Sequence, residues 1–175
     1  MKNNIVLGVT GSIAAYKAAD LCSRLVQSEN KVTVIMTESA AKLVTPQTFF
    51  TLSKNRVVTS LWEIPEWRPE HIALAEKSDI LAVVPATANF IGKYANGIAD
   101  DALTTYALSH TGKVIVAPAM NPRMWSHPAV QHNIAVLKER GVIIAGPGEG
   151  RVACGDDGKG RLEDISLIYK IIMSE

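Results

Sequence analysis

The stretch "IVLGVTGSIAAYKA", Ile5 to Ala18, decides the fold. Ile5 to Val9 is a short apolar, β-branched run that reads as a strand. Ile13, Ala14, Ala18, Leu21 and Leu25 then recur at helical spacing and predict the apolar face of a first helix. Gly8 and Gly11 interrupt the apolar run, so the N-terminus reads as a strand and a turn rather than a signal peptide. Ser12 stands where a helix cap belongs, with its hydroxyl facing the same point as the unpaired N–H groups. Phosphate binds readily at such a strand–turn–helix junction. An ordinary capped turn explains the same residues, and the glycines do not fit G-x-G-x-x-G.

Further outward, the pattern repeats. Val32 to Met36, Ile80 to Val84, Val114 to Ala117 and Val142 to Ala145 are apolar on both parities, as strands covered on both faces are. Helical spacing returns in Val130, Ile134 and Leu137, and a last helix is expected over about Glu163 to Met173. Strand alternating with helix predicts an α/β, single-domain, Rossmann-like (flavodoxin-like) parallel sheet with helices on both faces, spanning 1–175. Ligands of such sheets bind at the C-terminal ends of the strands. The glycine-rich segment Gly146 to Gly160 shows no evident secondary structure and is expected to be a functional loop.

Composition narrows the function. With 47% hydrophobic residues, 20% charged residues and a net charge of +1, the chain lacks the basic field that nucleic acid or an anionic membrane demands. No apolar run approaches the roughly 20 residues that span a bilayer. Two distant cysteines, Cys22 and Cys154, make no disulfide framework, which points to the cytoplasm. His110, His127 and His132 lack metal-ligand spacing with each other or with either cysteine, so no metal is expected.

Three more segments end strands at the binding edge. "TESA" (37–40) offers Thr37 and Ser39 to a ribityl chain or phosphate, and Glu38 to the ribose diol of a nicotinamide cofactor; a helix cap explains it as well. "PATANF" (85–90) presents Thr87 and Asn89 at a helix start. "PAMNPRMW" (118–125) stops a strand at Pro118 and opens a helix at Pro122, leaving Asn121 as the cap with an amide able to donate and accept. Met120, Met124 and Trp125 are expected to supply apolar walls. A cap accounts for one such loop; polar groups on several strand ends together suggest a phosphorylated cofactor across the sheet edge. His71 could act as a base if it reaches the cleft. Cys154 sits among glycines, with Arg151, Lys159 and Arg161 nearby to lower its pKa, whereas Cys22 on the first helix looks inert.

In order along the chain, "GSIAAYK", "TESA", "HIALAE", "PATANF", "PAMNPRMW" and "ACGDDGKGR" resemble the homo-oligomeric flavin-containing cysteine decarboxylases. The likeness is strongest to the branch that acts on 4'-phosphopantothenoylcysteine in coenzyme A synthesis. It implies FMN, with Gly11, Ser12, Ile13, Thr37, Ser39, Thr87, Ala88 and Asn89 holding the flavin and its phosphate, and Ala119 beside it. It implies His71 as catalytic histidine, Asn121 and Met124 as substrate-binding residues, and Cys154 as the acid of the reducing step. The sequence departs from many relatives at Phe90, where they carry a hydroxyl.

The same resemblance implies the chemistry. Loss of carbon dioxide from a cysteinyl carboxylate leaves a carbanion with nowhere to delocalise. Prior removal of a hydride from the thiol-bearing carbon makes a thioaldehyde that accepts those electrons, and flavin is the hydride acceptor. The resulting enethiol is then reduced to the saturated thiol. Relatives form trimers, or dodecamers of trimers, and some are fused to a ligase that joins cysteine to phosphopantothenate. Peptidyl-cysteine decarboxylases, which release the enethiol, and non-catalytic subunits that bind protein phosphatases are the rival readings. A nicotinamide-dependent dehydrogenase rests on Glu38 and a poor glycine fingerprint.

Overall fold

A computed structural model describes residues 2–62, 77–151, 155 and 157–174. His71 and Cys154 lie outside the described residues. Six parallel strands form the main sheet: β1 (Asn4–Val9), β2 (Lys31–Met36), β3 (Val57–Val58), β4 (Ile80–Ala86), β5 (Lys113–Pro118) and β6 (Ile143–Ile144). Their order is β3-β2-β1-β4-β5-β6. The chain winds outward from β1 in one direction and from β4 in the other, so the winding reverses between those two strands.

Successive strand residues go to opposite faces, and each face has its own core. Ile5, Leu7, Val9, Val34, Ala82, Ile115 and Ala117 pack under α1 (Ala15–Gln27), α3 (Pro46–Ser53) and, later in the chain, α8 (Ile165–Met173). Val6, Ile35, Leu81, Val83, Val114 and Val116 pack under α4 (Ala88–Ala95), α5 (Ala102–Ser109) and α7 (Pro128–Glu139). Two short helices, α2 (Glu38–Ala41) and α6 (Pro122–Trp125), follow β2 and β5 directly. The apolar face of α1 is Ala15, Ala18, Leu21, Cys22 and Leu25, all buried. Burying each of its leucines contributes about 1.5–3 kcal/mol.

Four expectations change. Ile13 is not part of the buried face of α1: the helix begins at Ala15 and Ile13 is 63% exposed. Ser12 is not the cap of α1; its Oγ accepts from the Ala14 N–H at 3.3 Å in a turn before the helix. Trp125 packs against the α4–α5–α7 core instead of lining a ligand cavity. Gly146 to Gly160 is not a structureless loop, because β7 (Gly148–Arg151) and β8 (Asp157–Arg161) form an antiparallel hairpin there. No helix among the described residues is long and apolar enough to cross a membrane.

Candidate active site

Where the winding reverses, the ends of β1 and β4 are tied together by one buried side chain. Thr10, 1% exposed, donates from Oγ1 to the Pro85 carbonyl at 2.8 Å and accepts from the Thr87 N–H at 3.0 Å. The turn after β1 is thereby fixed against the cap of α4, where Thr87 Oγ1 accepts from the Phe90 N–H at 3.3 Å. On the other side, the Ala119 N–H donates to the Ala86 carbonyl at 3.0 Å, which carries the β5 loop alongside. Asn121 caps α6 through Oδ1, which accepts from the Arg123 N–H at 2.8 Å, and Pro122 occupies the first helical position, where no donor is needed.

These loops enclose a cavity of about 730 Å³. Gly11, Ser12, Ile13, Thr87, Ala88, Ala119, Asn121 and Met124 line it. Thr37, Ser39 and Asn89 are not among its lining residues. Ser39 stands directly behind Gly11: a Cβ on Gly11 would lie 2.4 Å from the Ser39 Cβ, so only glycine lets this loop sit against α2. Thr37 caps α2, with Oγ1 accepting from the Ala40 N–H at 3.2 Å, and Asn89 is exposed one residue beyond Ala88. Phe90 is buried and stacked on Tyr94 at 5.7 Å, so the departure from the relatives' hydroxyl falls in the core rather than on the cavity wall. Glu38 is exposed and paired with Lys42 at 2.9 Å, which holds its carboxyl below the usual range.

Sequence reasoning missed several walls. Tyr16 and Lys17 reach the cavity from the first turn of α1, and Gly160 and Arg161 reach it from β8, with Leu162 just after. The hairpin is held there by the Met120 N–H donating to the Gly160 carbonyl at 2.9 Å. Gly160 has φ +151, and a Cβ on it would meet the Met120 carbonyl oxygen at 2.5 Å. No spacing rule shows this, because alternate glycines leave strands β7 and β8 without a side-chain pattern. Cys22 is buried and its thiol is pushed up to about 11, the behaviour of an inert packing residue. Among the described residues, no group of three or more His, Cys, Asp or Glu could hold a metal ion.

The cavity suits a partly polar group. Ile13 and Met124 expose apolar surface towards it, while Ser12, Thr87 and Asn121 offer hydroxyl and amide groups. A flavoprotein family model matches residues 1–175. The chain belongs to that family. Among curated relatives, the coenzyme A biosynthesis bifunctional protein CoaBC of Bacillus subtilis (strain 168) is 51% identical over 171 residues, covering 96% of this chain and 42% of its own length. This flavoprotein therefore spans less than half of that relative. Among solved structures, the FMN-dependent cysteine decarboxylase SpaF superposes with a TM-score of 0.85 at 33% identity, covering 98% of this chain and 95% of its own. A Cys-to-Ser mutant of PPC decarboxylase, complexed with pantothenoylaminoethenethiol, gives 0.86 at 30% identity, covering 98% and 97%.

Proposed function

We propose that this flavoprotein carries out FMN-dependent decarboxylation of 4'-phosphopantothenoylcysteine to 4'-phosphopantetheine, a step of coenzyme A synthesis. The observation that carries the reading is the meeting of "GSI", "TA" and "AMN", from three separate strand ends, on one cavity. Bound FMN supplies the acceptor for a hydride from the thiol-bearing carbon.

The residues of the chain have these roles. Gly11, Ser12, Ile13, Thr87 and Ala88 hold the flavin and its phosphate at the edge of β1 and β4, with Ala119 beside the ring. Thr37 and Ser39 serve this set from behind the cavity wall, Ser39 by backing Gly11 and Thr37 by capping α2, and the family resemblance gives Asn89 a cofactor role. The Asn121 Oδ1 is engaged by the Arg123 N–H, which orients the amide on the cavity wall, and Asn121 binds the substrate carboxylate. Met124, 48% exposed, packs on the substrate's apolar portion. His71 is the base for the thiol proton, and Cys154 donates a proton in the reducing step. The working form is a homo-oligomer, trimer or dodecamer, in the cytoplasm. A ligase that attaches cysteine to phosphopantothenate is the expected partner, fused or separate.

The test is the visible spectrum of the purified protein, followed by mass analysis after addition of phosphopantothenoylcysteine. A yellow protein that yields carbon dioxide and the saturated thiol is expected. Release of an enethiol from a peptide ending in cysteine, with no reaction on phosphopantothenoylcysteine, would refute the reading in favour of a peptidyl-cysteine decarboxylase. His71→Asn should stop turnover with flavin retained, and Cys154→Ser should stall at the enethiol. Saturated product at the normal rate from Cys154→Ser would remove that thiol from the mechanism.

A further inference from the structure

Among the described residues, two cations and no carboxylate line the main cavity. Lys17 comes from α1 and Arg161 from β8, and both also line an adjoining, more polar compartment of about 500 Å³. Tyr16 and Leu162 complete the shared wall, so the two compartments meet at the pair of cations. Among the described residues, Asp20, Glu149, Glu163 and Asp164 line the polar compartment, and all but Glu149 have partners of their own. Asp20 pairs with Arg24 at 2.9 Å, Asp164 caps α8 by accepting from the Ser166 N–H at 2.8 Å, and Glu163 accepts from the Asp164 N–H at 2.9 Å. Among the described residues, the side chains of Lys17 and Arg161 make no ion pair.

The hairpin gives Arg161 its place. Arg161 is opposite Gly148 in the β7–β8 register, and one guanidinium nitrogen lies 3.5 Å from where a Cβ of Gly150 would be. Both neighbours on β7 are glycines, so the side chain has room to lie along the hairpin beside the cavity. Cations without an ion-pair partner at the rim of an apolar cavity are stabilised by an incoming anion, and a guanidinium matches two oxygens of a phosphate at once.

We propose that Arg161, assisted by Lys17, binds the phosphate monoester at the far end of the substrate and makes this flavoprotein selective for phosphorylated over unphosphorylated pantothenoyl thiols. This inference rests on the decarboxylase reading for the identity of the ligand. The same cations would serve the phosphate of FMN equally well on chemistry alone, and the test separates the two sources.

The flavin-loaded protein is titrated calorimetrically with 4'-phosphopantetheine and with pantetheine, before and after Arg161→Ala and Lys17→Ala, with flavin content read from the visible spectrum. Wild type should prefer the phosphorylated compound by about thirtyfold or more, the scale of charge-assisted hydrogen bonds to phosphate. Arg161→Ala should cut that preference to about threefold with flavin still bound, and Arg161→Lys should restore part of it. Equal affinity of wild type for both compounds overturns the proposal. So does loss of flavin from the variants with the preference intact, since the cations then belong to the cofactor. Wild type that prefers the phosphorylated compound but leaves phosphopantothenoylcysteine unreacted would support the anion wall while refuting the proposed reaction.

Discussion

Gly11→Ala is the sharpest probe of how the cavity is built. The added methyl would sit 2.4 Å from the Ser39 Cβ and 3.3 Å from the Ser39 carbonyl carbon. Neither is the tip of a flexible side chain, so α2 or the β1 loop has to move. Both resist. The Thr37 N–H is bound to the Val9 carbonyl at 3.0 Å and Thr37 caps α2, while Thr10 pins the loop from the other side. Overpacking of this kind costs about 1–3 kcal/mol. Ser39→Gly alone should cost about 0.5–1 kcal/mol, for a glycine introduced into a short helix. In the double variant the nearest contact becomes backbone at 3.3 Å, a distance a few tenths of an ångström of adjustment relieves. Gly11→Ala with Ser39→Gly should therefore be more stable than Gly11→Ala alone, although Ser39→Gly is itself destabilising. Urea midpoints of the four flavin-free proteins give the coupling directly. Additive losses would show that the two residues do not meet and that the loop has slack to accept a methyl.

Three further outcomes follow from the same geometry. His110 is 8% exposed, with Nδ1 3.1 Å from the Tyr106 hydroxyl and 3.3 Å from Ser78 Oγ, and with Nε2 unpartnered among the described residues. Burial lowers its pKa, outweighing the Lys113 carbonyl and the Asp79 charge that favour protonation. The unfolded chain then binds the extra proton first, so the stabilisation from neutral His110 is complete above about pH 6.5 and is lost as pH falls from there to the folded pKa. His110→Asn should flatten that part of a stability–pH curve; an unchanged slope would assign it to other groups. In the native protein at pH 8, Cys22 should react with iodoacetamide about a hundredfold more slowly than an unshifted thiol, the ratio of their thiolate populations, whereas equal rates would show that the α1 face opens. Asn121→Ala should lower stability by about 0.5–2 kcal/mol through the lost cap of α6. Asn121→Ser should recover that stability but not substrate affinity; recovery of both would reduce Asn121 to a cap.

What the sequence made legible follows from burial. β1, β2, β4 and β5 are covered on both faces, so their runs are largely apolar on both parities and could be read from the sequence pattern. The edge strand β3 is two residues long and leaves no such run. Ile13 fitted the helical spacing of α1 because spacing does not report where the backbone turns into a helix. Two residues before that point its side chain faces the cavity instead of the core. The hairpin was hidden for a related reason. Strand propensity is written in side chains, and here the need for close contact removed them: Gly160 approaches the Met120 carbonyl too closely for any Cβ, and a Cβ on Gly158 would press on Pro122 at 3.3 Å. The loops of the site were visible as polar residues after apolar runs, since a strand end must cap whatever follows it. Arg161 and Lys17 were not, because they are 144 positions apart and a charge acquires a position only when the chain pairs. Once β7 pairs with β8 and the Gly160 carbonyl is fixed to the Met120 N–H, Arg161 is held on the same wall as the first turn of α1. The glycines that hid the hairpin from sequence reasoning are thus the residues that let it deliver a charge to the cavity.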